Sequence, residues 1–295
     1  MTALRQNIAK LKDSTIDWIY SKRNLVNSMN DKREILPYAY PCSNYVEKVL
    51  SNKLVCKALQ SVFDEHYCKQ IEQVKAASQI VTPISYPNLY GIMNACCELL
   101  MMTNCPVLMV NSRLKSVNGL TIGSDKEPVI LLSRKAVTKL NEGELKFLIG
   151  HELGHVLQQN LVCHIVKGGL DNLKNSSDVL GTMIADVVEM PLNQWHRCSE
   201  ITSDRAGFIC CQKMDHVKEI FMKIGKPLNK VSGSSVNNAL DNLFELNYRH
   251  PMIAKRLLSL ECFEKSSVFN AFCSGEKIDI SYCKSLNEKV QTIML

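Results

Sequence analysis

Two histidines four positions apart, with a glutamate next to the first, dominate the segment Phe147-Leu148-Ile149-Gly150-His151-Glu152-Leu153-Gly154-His155. On an α-helix, positions i and i+4 share a face, so His151 and His155 can converge on one cation such as Zn²⁺. Glu152 then lies near the cation without binding it, where a general base for metal-assisted hydrolysis must sit. Upstream, Asn141 and Glu144 have the spacing of a capping box, and Leu145, Leu148, Ile149, Leu153 and Val156 recur at helical intervals. The segment therefore reads as a helix with a buried apolar side, and its imidazoles and carboxylate need partners.

A tetrahedral catalytic zinc takes three protein ligands and keeps one position open. The extended pattern H-E-x-x-H-x-x-G-x-x-H requires glycine at 158 and histidine at 161. The chain has Gln158 and Leu161, which excludes the metzincin arrangement. His164 matches no ligand spacing and reads as a solvated loop histidine. The better third ligand lies in segment 197–207, where Glu200 and Asp204 share one helical face. Glu200 can ligate through a carboxylate oxygen, and Asp204 can accept the remaining N–H of a ligand histidine. The same pair would also suit a solvated acidic face bridged to Arg197 or Arg205.

H-E-L-G-H at 151–155 followed by E-I-T-S-D-R-A-G at 200–207 resembles the HtpX and CAAX-prenyl-protease family of zinc metallopeptidases, metallopeptidase family forty-eight. The D-R-A-G ending is most similar to the soluble, bacterial-type members. The resemblance implies an α+β fold, a mainly helical zincin (gluzincin) catalytic domain with a small β-sheet beside the H-E-x-x-H helix. It also implies one Zn²⁺ per chain held by His151, His155 and Glu200, with Glu152 as catalytic base and Asp204 orienting a ligand. His250-Pro251-Met252-Ile253-Ala254-Lys255-Arg256 resembles the family's H-P-x-x-x-x-R element. That likeness gives His250 the oxyanion and Arg256 a supporting contact with acidic groups. From the residues alone, Pro251 suits a first helical position, and His250 would equally serve as a helix cap.

Residues 106–110, 118–122 and 128–132 read as strands. Where the family carries Asn-Ala-Phe, this chain has Asn118-Gly119-Leu120. An edge strand there can hold an extended peptide by backbone pairing, and it is equally compatible with ordinary sheet structure.

Composition agrees with a globular enzyme: 46% hydrophobic and 22% charged residues exclude a disordered chain. The net charge of +6 includes seven Lys and Arg against four Asp and Glu in residues 1–35, with no aromatic-interleaved basic cluster of the kind nucleic acid selects. Thirteen cysteines without C-x-x-C spacing read as reduced thiols of a cytoplasmic protein. Charges at Arg5, Lys10, Lys12, Asp13 and Asp17 argue against a signal peptide, and no apolar run reaches the ~18–20 residues of a membrane span. Peripheral contact through a helical stripe in residues 1–35 is compatible with the sequence.

The organisation expected is a helical arm over 1–35, a zinc metallopeptidase domain over 36–261 and a capping or regulatory tail over 262–295. Within the domain, a Gly168-Gly169 turn should lead into a helix ended by Pro191, and 226–239 should be a loop. The expected function is a soluble zinc endopeptidase acting on peptides or proteins, of undetermined oligomeric state. The alternative is a latent or inactive zinc-binding regulatory or scaffold protein on the same fold.

Overall fold

The computed structural model describes residues 36–114, 116–159, 161–168, 179–224 and 253–294. The 1–35 arm, residue 169 of the expected glycine turn, the 226–239 loop and His250 lie outside the described residues. Three short helices open the described chain: α1 (Asn44–Leu50), α2 (Lys53–His66) and α3 (Cys68–Ala76). Ser43 and Asn52 cap the first two by accepting backbone N–H bonds with their side chains. Strand β1 (Ser78–Ile80), which the hydrophobic pattern did not reveal, leads to α4 (Pro87–Leu99), begun by Pro87 where a backbone N–H would have no acceptor within the helix.

Strands β2 (Val107–Asn111), β3 (Gly119–Gly123) and β4 (Pro128–Ser133) lie within a residue of the positions read from sequence. The sheet order is β1-β2-β4-β3, with β2 and β4 parallel and the other two pairs antiparallel. Alternation along the strands divides the apolar side chains between two layers. Leu108, Val110, Ile130 and Leu132 face a core built with Leu148, Leu153 and Phe208. Met109, Leu120, Ile122, Val129 and Leu131 face another, with Leu59, Phe63 and Ile71. The result is a mainly helical α+β fold around a small mixed sheet.

After β4 come α5 (Arg134–Lys139), α6 (Glu142–Leu157) and α7 (Leu161–Gly168), then the long α8 (Val179–Cys211) and α9 (Met214–Ile224). Helix α8 corrects the expectation of a break at Pro191, which lies inside it. Proline removes one hydrogen bond, here to the carbonyl of Val187, and Val187 is 67% exposed, so water can satisfy that group. Packing holds the helix on both sides of the proline: Val188 and Leu192 join one core, Ile201 and Ala206 the other. Spanning both layers takes ~50 Å of helix at ~1.5 Å per residue.

The chain closes with α10 (Ile253–Glu264), α11 (Ser267–Ser274) and α12 (Ile280–Met294). The boundary expected after residue 261 falls inside α10, and Phe272, Leu286 and Val290 pack into the same core as Phe147 and Leu153. Cys97 and Cys105 form a disulfide, which corrects the reading of all thirteen cysteines as reduced; the other eleven are not disulfide-bonded. No described helix is long and apolar enough to cross a membrane.

Candidate metal centre

Helix α6 starts as its sequence dictates. Asn141 accepts from the Glu144 backbone at 2.9 Å, and Glu144 reciprocates on the Asn141 N–H at 2.9 Å. Glu144 is fully buried and also pairs with Lys223 of α9. From this anchored end the helix runs inward, and its residues 147–155 are all buried.

Small residues let α6 and α8 approach backbone to backbone. A Cβ at Gly154 would lie 2.7 Å from Ser203 Cα, and one at Gly207 would lie 2.7 Å from the Phe147 carbonyl oxygen. This closeness sets the His151–His155 face directly against the Glu200–Asp204 face. His151 Nδ1 is 3.0 Å from Asp204 Oδ1, and His155 Nδ1 is 3.1 Å from Ser203 Oγ. The Nε2 atoms are thereby left facing each other at 3.2 Å, with Glu200 oxygens 3.4 Å from His155 Nε2 and 3.7 Å from His151 Nε2. In the tautomers that place both ring protons on Nδ1, these are converging lone pairs, an arrangement that repels itself unless a cation lies among them.

Charge supports the same fit. Arg256 of α10 donates Nε to Asp204 Oδ2 at 2.7 Å, donates its Nη2 to Oδ1, and holds Nη1 3.4 Å from Glu200 Oε2. Its guanidinium also lies 4.8 Å from the Phe221 ring centroid. Two carboxylates, Glu200 and Asp204, thus meet one guanidinium with a third, Glu152, nearby, and a divalent cation would cancel the excess. Burial disfavours the charged Asp204, but the Arg256 charge and hydrogen bonds outweigh it and hold its pKa below the usual carboxylate range. Burial likewise opposes a charged His151, yet the Asp204 hydrogen bond and the Glu200 and Asp204 charges raise its pKa. Arg256, despite burial, is held protonated more firmly than a free arginine by Asp204 and Glu200. The alternative of a solvated acidic face is therefore corrected: Glu200 and Asp204 are buried and turned to α6 and Arg256.

Glu152 points toward β3. Thr121 Oγ1 donates to Glu152 Oε2 at 2.7 Å, and Gly119 stands where an added Cβ would touch the Glu152 side chain at 3.1 Å. Of the residues read as an extended-peptide site, Asn118 pairs through its backbone with Ser133, while Leu120 packs into the opposite core. Strand β3 is an edge of the described sheet and all five of its residues are buried.

The structure corrects His164. It is 6% exposed on α7, its ring centroid 4.3 Å from that of His155 and 5.6 Å from that of His196. Burial lowers the pKa of both His164 and His196, and neighbouring imidazoles add to the effect. His196 was missed in the sequence although it precedes Glu200 by four residues, the spacing that identified the other pairs. Ser199, Ser203 and Thr121, which position the ring nitrogens and Glu152, carried no recognisable signal. Gln158, where a metzincin would have glycine, donates Nε2 to Gly154 O, Ser199 O and Ser203 Oγ and bonds α6 to α8.

Among the described residues, His151, His155 and Glu200 present donor atoms within 4.8 Å of one another, as a metal ion requires. A model of Peptidase family M48 matches residues 87–264. The chain is also similar to "Plastoglobule-localized metallopeptidase 48, chloroplastic" of Arabidopsis thaliana, 27% identical over 147 residues. That match covers 50% of this chain and 42% of the relative, so the chain spans less than half of the relative's length. No solved structure matches.

Proposed function

Because the chain belongs to peptidase family M48, we propose that it is a zinc-dependent endopeptidase with His151, His155 and Glu200 as metal ligands. The observation that carries this reading is the convergence of two Nε2 atoms and one carboxylate, with Glu152 held beside them by Thr121. Two imidazoles and a carboxylate suit Zn²⁺, and three ligands leave a position for water. When bound, the ion acidifies water toward a pKa of ~7 and polarises the scissile carbonyl.

The protein's own groups do the rest. Glu152 takes a proton on a carboxylate oxygen and returns it to the leaving amine, while the Thr121 hydroxyl fixes its orientation. Asp204 keeps the His151 proton on Nδ1, so Nε2 stays a ligand, and Arg256 holds Asp204 ionised. His250 is assigned to the oxyanion, and Asn118, Gly119 and Leu120 to backbone pairing with an extended substrate. Residues 36–261 form the catalytic unit in this reading, 1–35 an arm and 262–295 a cap. Eleven free thiols are compatible with a reducing compartment such as the cytoplasm.

Glu152→Gln should retain zinc by elemental analysis and lose a factor of about 10²–10⁴ in casein cleavage. Zinc-free protein from a chelator-free preparation, or an unimpaired variant, overturns the reading. A latent form has one observation in its favour: His151, Glu152, His155 and Glu200 are each at most 8% exposed. Zinc-loaded protein that cleaves casein only after limited proteolysis would establish latency.

A further inference from the structure

We infer that His164, His196 and Glu200 form a second site for a divalent transition-metal ion, adjoining the first and sharing Glu200 with it. The ligand atoms of these three residues lie within 4.8 Å of one another. Their arrangement copies the first site's logic from a different direction. His196 and Glu200 are four apart on α8, so they share a face, and α7 brings His164 against that face.

His164 is the second, independent observation. It is 6% exposed, and its Nδ1 makes no hydrogen bond. A buried ring nitrogen without a partner is costly, and a ring serving only to fill space between His155 and His196 would be better made of carbon. A metal ion accepts that nitrogen's lone pair and removes the cost.

Glu200 is placed to serve both sites. Its Oε2 lies 3.7 Å from His151 Nε2 and 3.4 Å from Arg256 Nη1. Its Oε1 lies 3.4 Å from His155 Nε2 and 3.9 Å from His196 Nδ1. A carboxylate with one oxygen on the first site and the other within reach of both His155 and His196 can bridge two ions, which in two-metal sites stand ~3.5–4 Å apart. Two imidazoles and one carboxylate favour zinc or cobalt over magnesium or calcium, which prefer all-oxygen shells. The Asp204 hydrogen bond orients His151 for the first ion, which therefore fills first and binds more tightly. Filling it draws Glu200 toward His196, so excess zinc should inhibit a peptidase that a single ion activates. The inhibition rests on the proposed peptidase reading; the binding site does not.

The 295-residue chain, titrated with Zn²⁺ by calorimetry and then analysed for bound metal, should take up two equivalents, the second at least tenfold weaker. His164→Phe and His196→Gln should each bind one, with the first affinity unchanged, and that retained equivalent also reports an intact fold. A single equivalent in the unaltered chain, or two in both variants, overturns the proposal. A variant-free measurement decides independently. Co²⁺ in the unaltered chain should give an exchange-coupled pair by electron paramagnetic resonance, whereas magnetically isolated ions refute a shared carboxylate. Casein cleavage should fall as the second equivalent fills and stay level in the variants. Two bound ions with no cleavage at any zinc level would refute the peptidase reading and leave this site standing.

Discussion

Asp204 and Arg205 are adjacent on α8, yet they face regions that solve the burial of charge in opposite ways. On the metal side, Asp204 and Glu200 meet Arg256, and Asp204 and Arg256 are each stabilised in the charged form. On the scaffold side, Arg205 is 1% exposed, and among the described residues its hydrogen bonds go to a carbonyl and a side-chain amide. Its Nη1 donates to Tyr38 O at 2.8 Å and Asn287 Oδ1 at 3.1 Å, and the Tyr40 and Phe263 rings lie 5.6 and 5.4 Å away. Burial accordingly pushes its pKa down to about 10. Charge at the centre is thus matched by charge, and a divalent cation would complete the balance. Among the described residues, charge in the scaffold is matched by dipoles and ring faces, and it ties the chain near Tyr38 and α12 to α8.

The contrast breaks most visibly at Arg256. Arg256→Met should cost about 3–5 kcal/mol in metal-free protein, because it strands two buried carboxylates. Urea unfolding with and without zinc should show saturating zinc recovering part of that loss. Asp204→Asn should weaken zinc binding by about 10–100-fold in chelator competition while the fold persists, since the His151 ring loses its anionic partner. Arg205→Met should cost only about 1 kcal/mol, the two hydrogen bonds being offset by removal of a desolvated charge, and the change should be the same with or without zinc. An Arg205 variant as damaging and as zinc-sensitive as the Arg256 variant would erase the distinction.

The smallest effect is in acid. Asp204 has a folded-state pKa below its unfolded value of ~3.9, so its stabilisation is present above pH ~4. It is lost as pH falls through the lower folded value. Metal-free protein should show this slope in unfolding experiments below pH 4, and Arg256→Met should flatten it because the main cause of the depression is gone.

Sequence legibility follows the same division. His151, His155, Glu200 and Asp204 could be read because each pair is local, four residues apart on one helix. The strands were legible because apolar runs between turn residues need no distant information. His164 was misread because its partners come from α6 and α8, and no spacing along the chain records that meeting. Pro191 was read by a sound local rule that burial of Val188 and Leu192 overrode. The destination of Arg205 was invisible for a related reason: an arginine beside two acids suggests a salt bridge, and only the close packing of α6 on α8 turns those acids away from it.

Strand β3 carries one further implication. Gly119 and Thr121 face Glu152, while Leu120 and Ile122 face the opposite core. The setting of Glu152 therefore depends on the parity of a five-residue strand. An odd-numbered insertion or deletion between β2 and β3 that slid the strand by one would set leucine or isoleucine against the carboxylate and turn a hydroxyl into the apolar layer. Drift in the length of that connection should then proceed in steps of two, or be absorbed wholly within the turn.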